Sequence, residues 1–302
     1  MNAIDPCNVV VSESVDGIPA IFAYVETWDG LYAPIGIRKP DGDGPFPIAL
    51  LARGNGGEGM GWVRESMHRR GFVMDRLIEA GYACAWLRYR TEVELGYNNG
   101  GKLVRDRRQG RDIFNRAPLE YEDEIAIIEY VKALPFVDAD RVGLVGVSHA
   151  GEMILKIASE YDGFAAGVAC EPASHEFLAL NPDSTAFVNQ ETQLRNIENM
   201  QMAEVEKVRR RIDMDLAKAR IETIKTPVLV MGRDEDHLQG IFRTTYELME
   251  EAGKDVEWVS YAHGMHGYIF PEREGDGAYA VDDMQRDAIG TVISYLDRQL
   301  KS

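Results

Sequence analysis

The sequence predicts an α/β fold whose central sheet is mainly parallel and covered by helices on both faces. Three observations predict it. Short apolar runs alternate with helix-length amphipathic segments along most of the chain. A β-rich stretch precedes that alternation, with runs at Ala20 to Val25, Tyr32 to Arg38 and Ile48 to Ala52. Finally, Gly146-Val147-Ser148-His149-Ala150-Gly151 sits between an apolar run, Val142 to Val145, and a helix-prone run, Glu152 to Ala158.

Taken in order, the entry runs are separated by Asp29-Gly30 and by Asp41-Gly42-Asp43-Gly44-Pro45, both strong turn signals. The alternation then gives a helix around Val63 to Glu79, a strand at Ala83 to Leu87 and a helix around Tyr121 to Leu134. In that last helix Tyr121, Ile125, Ile128 and Val131 share one face, and Glu122, Asp123 and Glu129 lie elsewhere. Strands follow at Val142 to Val145, Ala165 to Cys170, Val228 to Met231 and Val256 to Tyr261. The interval Glu171 to Thr226 is charged and helix-prone over much of its length, which predicts a helical cap inserted into a single domain spanning residues 1–302. Met200, Met202 and Met214 are either core contacts of that insertion or the lining of a substrate entrance.

Composition narrows the function classes. A formal net charge of −17 over 302 residues lacks the basic footprint of a nucleic-acid binder and disfavours adhesion to anionic membranes. Cys7, Cys84 and Cys170 are odd in number and widely spaced, so neither a disulfide framework nor a structural zinc site is expected. Met1 to Val11 has no basic region followed by an apolar one, and no run approaches the ~18 apolar residues of a membrane span. A cytoplasmic protein acting on a small molecule, without nucleic-acid or membrane partners, is the expectation.

A serine on a tight strand-to-helix turn projects its hydroxyl from the sheet, and the helix N-terminus favours developing negative charge. Ser148 is therefore the candidate nucleophile. It needs a base and an acid that orients the base. His266, in Gly264-Met265-His266-Gly267-Tyr268 after the run Val256 to Tyr261, is the preferred base, and His263 is its competitor. The run Val228 to Met231 leads into Gly232-Arg233-Asp234-Glu235-Asp236-His237, which offers three carboxylates. Asp236 is preferred, ahead of Glu235 and Asp234, with Glu171 after the preceding strand as an outside alternative. Three consecutive acids cannot converge on one ion without unusual backbone geometry, so no metal is expected. The backbone N–H of His149 and the loop Arg53-Gly54-Asn55-Gly56-Gly57, through Asn55 or Gly56, are the candidate oxyanion donors.

The same loop matches G-x-G-x-x-G from Gly54 to Gly59, and Arg88 after the next strand could meet a 2′-phosphate, as in an NADP-dependent oxidoreductase. That fingerprint normally opens the first βαβ unit, whereas here β-rich sequence precedes it, and it leaves Ser148, Asp236 and His266 without a role. A cofactor-independent enzyme is expected instead.

From about Trp28 to the C-terminus the chain resembles serine hydrolases of the α/β-hydrolase fold, in the dienelactone-hydrolase and prolyl-oligopeptidase-like branch. The resemblance rests on Gly44-Pro45-Phe46-Pro47, Glu79-Ala80-Gly81-Tyr82-Ala83, the stretch Leu134-Pro135-Phe136-Val137-Asp138-Ala139-Asp140-Arg141-Val142-Gly143, and Ala252-Gly253-Lys254-Asp255-Val256. It implies Ser148, Asp236 and His266 as nucleophile, acid and base, in that family's chain order. Ala150 stands where the elbow often has glycine, Arg53 where histidine often precedes the glycines, and the acid loop is one residue longer than usual. A carboxylesterase acting on small or medium acyl esters is expected. A serine peptidase is the nearest alternative, set back by a chain too short for a catalytic domain plus propeller, and a non-catalytic binding protein is a third. Lys102, Arg105, Arg107, Arg108, Arg111 and Arg116 follow Arg88 and Arg90. They read as a solvated run, with the sharper possibility that one of them, or Arg53, holds a substrate carboxylate.

Overall fold

The computed structural model describes residues 11–28, 30–54, 59–89, 119–180, 201–275 and 277–302. Its strands are β1 (Val11–Val15), β2 (Ile18–Glu26), β3 (Tyr32–Arg38), β4 (Phe46–Ala52), β5 (Ala83–Leu87), β6 (Val137–Val147), β7 (Ala166–Cys170), β8 (Val228–Arg233) and β9 (Val256–Tyr261). They form one sheet in the order β1-β2-β3-β5-β4-β6-β7-β8-β9. β1, β2, β3 and β5 pair antiparallel in succession, and every pairing from β5 through β4, β6, β7 and β8 to β9 is parallel. The sequence-based expectation of a β-rich entry followed by a parallel sheet is met.

Side-chain alternation with period two builds two cores, one on each face. Ile48 and Leu50 of β4, Ala83 and Ala85 of β5, and Val228 and Val230 of β8 enter one cluster. Ala49 and Leu51, Cys84 and Trp86, and Leu229 and Met231 enter the other. The first face is covered by α3 (Leu119–Lys132), α4 (His149–Glu160) and α7 (Gln239–Glu251), which contribute Ile128, Ile154 and Phe242. The second is covered by α1 (Gly59–Arg69), α2 (Gly71–Glu79) and the C-terminal α8 (Asp283–Leu300), through Met67, Leu77 and Val292. At about 1.5–3 kcal/mol per fully buried large aliphatic side chain, these two layers are the main source of stability.

Three local differences from the sequence-based reading have physical reasons. The helix expected over Val63 to Glu79 is two helices that meet at Arg70, where φ is −117° and ψ 26°. Gly71 follows because a Cβ there would stand 2.6 Å from the Tyr279 hydroxyl. Helix α8 was not anticipated, although Asp282 and Gln285 form a reciprocal capping box at its start. In α3, Asp123 is buried, as are Glu120 and Glu124, so this helix carries acids on its covered face.

One of those acids gives a stability prediction. Burial pushes the Glu124 carboxyl up to about 8, with a hydrogen bond from Tyr89 and the charge of His149 opposing only in part. Above pH 4.5 the unfolded chain releases this proton, whereas the folded chain keeps it until about pH 8, so stability falls as pH rises across that window. Glu124→Gln removes the penalty. Urea denaturation is expected to give the variant an advantage that grows by up to roughly 4 kcal/mol from the acidic to the alkaline side of that window.

Between β7 and β8, residues 181–200 lie outside the described residues, including Met200. The described helices of this interval, α5 (Val205–Arg209) and α6 (Met214–Thr223), pack on α7 and α4 respectively. Met202 is fully buried, with its N–H donating to His237 O at 2.6 Å and its carbonyl accepting from Gly240 N at 2.9 Å, so it is a core contact. No helix among the described residues is long and apolar enough to cross a membrane. Cys84 and Cys170 are buried free thiols, and Cys7 lies outside the described residues.

Candidate active site

The chain leaves β4, crosses to β5 on one side, and returns to β6 on the other side of β4. Adjacent parallel strands whose connections depart in opposite directions leave a crevice beyond their C-terminal ends. Ala52 and Gly146 are register partners at those ends, so Arg53-Gly54 and Val147-Ser148 diverge on either side of the crevice.

Ser148 adopts φ 62° and ψ −120° between β6 and α4, a conformation costly for a residue with a Cβ. Gly146 makes the turn possible, because a Cβ there would lie 2.5 Å from Ala150 O. Ala150 itself fits without exposure, so the residue that departs from the elbow's usual glycine is accommodated. The Ser148 N–H donates to Cys170 O at 2.9 Å, tying the elbow to the end of β7. Although Ser148 holds the N-cap position, its hydroxyl caps no helix N–H. The first helical residue, His149, is buried with Nε2 at 2.6 Å from Glu120 Oε2 and Nδ1 at 3.8 Å from Glu152 Oε2. Its side chain thereby anchors the start of α4.

On the opposite wall a Cβ on Gly54 would stand 3.0 Å from Ser148 Cβ and 3.2 Å from its Oγ. Only glycine lets this loop approach so closely. The Gly54 carbonyl accepts from Arg88 Nη1 at 3.0 Å, and the Arg88 guanidinium stacks over Trp62 at 4.8 Å. Buried and committed to this carbonyl, Arg88 props the loop and is not placed to meet a nucleotide phosphate. The oxyanion candidates Asn55 and Gly56 lie outside the described residues, as does the basic run from Lys102 to Arg116. Gly54→Ala is expected to displace the Ser148 side chain and, if that hydroxyl is the nucleophile, to lower kcat by about a hundredfold with little loss of thermal stability, as read by steady-state kinetics beside a melting curve.

The two candidate histidines of the next loop face different partners. His263 turns away, with Nε2 at 2.9 Å from Asp282 Oδ2 at the start of α8. His266 projects from a loop pinned by buried Tyr268, Ile269 and Phe270, and its side chain is 47% exposed. Its Nδ1 lies 3.0 Å from Glu171 Oε1, while the Gly267 N–H donates to Glu171 Oε2 at 2.6 Å. One carboxylate therefore grips both the imidazole and the backbone beside it. Glu171 is fully buried and left-handed at φ 47°, and its N–H donates to Met231 O at 2.7 Å. Burial alone would raise its carboxyl, but His266, the Gly267 N–H and Arg233 together outweigh burial and hold it below the usual range.

Asp236, preferred from the sequence as the acid, is not bonded to His266. It comes within 4.8 Å of the Glu171 and His266 polar atoms, but its carboxylate is bonded to Arg233 Nη2 and accepts from Leu238 N at 2.6 Å, which shapes the turn into α7. Asp234 accepts from Ser260 Oγ at 2.5 Å, and exposed Glu235 continues the turn at φ 62°. β8 runs on to Arg233, two residues past Met231, the register partner of Cys170 at which β7 ends. The only signal for Glu171 in the sequence was its place directly after a strand.

Glu171, Asp236 and His266 also form the donor set of a possible metal centre. Arg233 donates to both carboxylates, with Nε at 2.6 Å from Glu171 Oε1, and so already supplies the cation between them. Among the described residues Ser148 Oγ and His266 share no hydrogen bond; such contacts commonly tighten only when substrate binds.

A mainly parallel sheet whose switch point carries a strained serine, with a histidine–carboxylate pair at the neighbouring strand end, has the architecture of the α/β-hydrolase fold. Residues 75–288 match the model of the prolyl oligopeptidase family, and the chain belongs to that family. No curated protein matches it in sequence. Among solved structures it is similar to an acylaminoacyl peptidase from Pyrococcus horikoshii, with 18% identity and a TM-score of 0.61 over 93% of this chain and 41% of that one. It thus spans about two fifths of that peptidase's length. It is also similar to an esterase from Rhizomucor miehei, at 16% identity and TM-score 0.60, covering 97% of this chain and 84% of that one. A hyperthermophilic esterase from Pyrobaculum calidifontis gives 13% identity and TM-score 0.59 over 92% and 85% of the respective chains.

Proposed function

We propose that the protein is a carboxylic ester hydrolase acting on small or medium acyl esters through an acyl-enzyme, with Ser148 as nucleophile, His266 as base and Glu171 as the acid. The observation that carries this reading is the uncommitted Ser148 hydroxyl at the strained elbow, one strand end away from the His266–Glu171 pair. Ser148 Oγ attacks the carbonyl carbon and passes its proton to His266 Nε2, while Glu171, on Nδ1, fixes the tautomer and stabilises the imidazolium. The His149 N–H and the loop that begins at Arg53-Gly54 stabilise the oxyanion. His266 then protonates the leaving alkoxide, and water, deprotonated by His266, releases the acid. Arg233 and Asp236 serve as positioning residues behind Glu171. The interval between β7 and β8 serves as the cap.

Peptidase activity is the second reading, supported by the family match and the acylaminoacyl peptidase likeness. Esters are favoured because an alkoxide leaves with less help from His266 than an amine does. Hydrolysis of a panel of p-nitrophenyl esters and a p-nitroanilide peptide, together with fluorophosphonate labelling of Ser148, tests both. Ester turnover with labelled Ser148 supports the proposal, and faster amide turnover moves the protein to the peptidases. An unlabelled Ser148 with no turnover overturns the hydrolase chemistry and leaves a binding protein.

A further inference from the structure

Beside the elbow, one carboxylate is shared by three guanidinium groups. Glu272 Oε1 accepts from Arg53 Nη1 at 2.6 Å and from Arg70 Nη2 and Nε at 2.6 and 3.0 Å, and Oε2 accepts from Arg69 Nη2 at 2.6 Å. Glu65, at 3.0 Å from Arg69 Nη1, is the only other acid paired with these arginines among the described residues. The group is left with surplus positive charge in a chain of net charge −17.

Arg70 is buried, with 8% of its side chain exposed, and Arg69 lies on the outer side of the cluster at 44%. Arg53, at 30%, directly precedes the glycine that packs on Ser148. Among the described residues its Nη1 is engaged by Glu272, while Nε and Nη2 donate to no partner. These two nitrogens form one edge of the planar guanidinium, the pair that grips a carboxylate with two parallel hydrogen bonds. That edge lies 3.8 and 4.0 Å from the point where a Cβ on Gly267 would stand. The same point is 3.2 Å from Val147 Cγ1, so glycine at 267, directly after His266, lets the Arg53 edge and the elbow strand pack close beside His266.

We infer that Arg53 reads a carboxylate on the substrate, so that the enzyme prefers esters carrying an anionic group close to the scissile carbonyl. Glu272, Arg69 and Arg70 hold the guanidinium in place, and Arg53 supplies its Nε–Nη2 edge. The inference rests on the hydrolase reading above. It leaves two sources for the carboxylate, the acyl part and the leaving part, and the substrates below separate them.

The experiment compares kcat/KM for the p-nitrophenyl monoester of glutaric acid, its neutral methyl-ester counterpart, and a butyrate ester whose leaving group is 4-hydroxybenzoate, against p-nitrophenyl butyrate. Wild type is expected to favour one carboxylate-bearing substrate over its neutral counterpart by about tenfold or more. Arg53→Gln should collapse that ratio through KM, and Arg53→Lys should recover part of it. A second measurement needs no variant: monomethyl glutarate should protect Ser148 of wild type from a fluorophosphonate, and neutral dimethyl glutarate should not. Equal kcat/KM for charged and neutral substrates, a ratio unchanged in Arg53→Gln, or equal protection by the two glutarates overturns the inference while labelling of Ser148 leaves the hydrolase reading intact. Failure of Ser148 to label overturns both.

Discussion

Ser148→Ala is expected to reduce ester turnover by about a millionfold, to the level set by binding and the oxyanion donors alone. In the proposed mechanism this hydroxyl forms the covalent intermediate, and without it His266 has no proton to take. The fold should survive, because the Ser148 side chain caps no helix N–H and the elbow is held by the Ser148 N–H on Cys170 O. Alanine also bears a Cβ at φ 62°, so it neither relieves nor adds backbone strain. Steady-state kinetics on p-nitrophenyl esters beside a melting curve checks this. Residual activity within about a hundredfold of wild type would place the nucleophile elsewhere.

The second large effect separates two carboxylates. Glu171→Gln keeps the shape of the side chain but removes the charge facing Nδ1 of His266, so the imidazole loses the partner that fixes its tautomer and stabilises its protonated form. A fall in kcat of about 10³–10⁴-fold is expected. Asp236→Asn removes a carboxylate bonded to Arg233 and the turn into α7 but not to His266, and on the proposed roles its loss of kcat should stay within about tenfold while stability falls by roughly 1–2 kcal/mol. If Asp236→Asn proved the more damaging to kcat, Asp236 would take over the role assigned to Glu171. The same pair differs in acid. The Glu171 carboxyl is held below its ordinary value in the fold, so the stability it contributes is present above the unfolded value, 4.5, and is lost as pH falls through the folded value. Glu171→Gln should therefore flatten the acid limb of the stability curve.

The reading of the acid shows how far local pattern reaches. The alternation of apolar runs and amphipathic helices gave the parallel sheet, because burial on two faces writes itself into every strand with period two. Ser148 was legible for a similar reason: an elbow needs small residues on both sides of the nucleophile, and Gly146 and Gly151 supply them within four residues. His266 stood out by its flanking glycines, of which Gly267 adopts φ 74° and donates to Glu171. Those features are local, so sequence by itself determined them.

The bond between His266 and Glu171, the bend at Arg70, the burial of Asp123 and Glu124, and the meeting of Arg53 with Glu272 depend on contacts between distant segments. Arg53 and Glu272 are 219 residues apart, and His266 and Glu171 are 95 apart. Which strand end lies nearest a histidine is set by sheet order and by where each strand stops, quantities that no window of residues contains. The elbow around Ser148 is built from neighbours in the chain, so the sequence by itself determined it; only the tertiary structure decided which carboxylate bonds His266, because that partner is a neighbour in space alone.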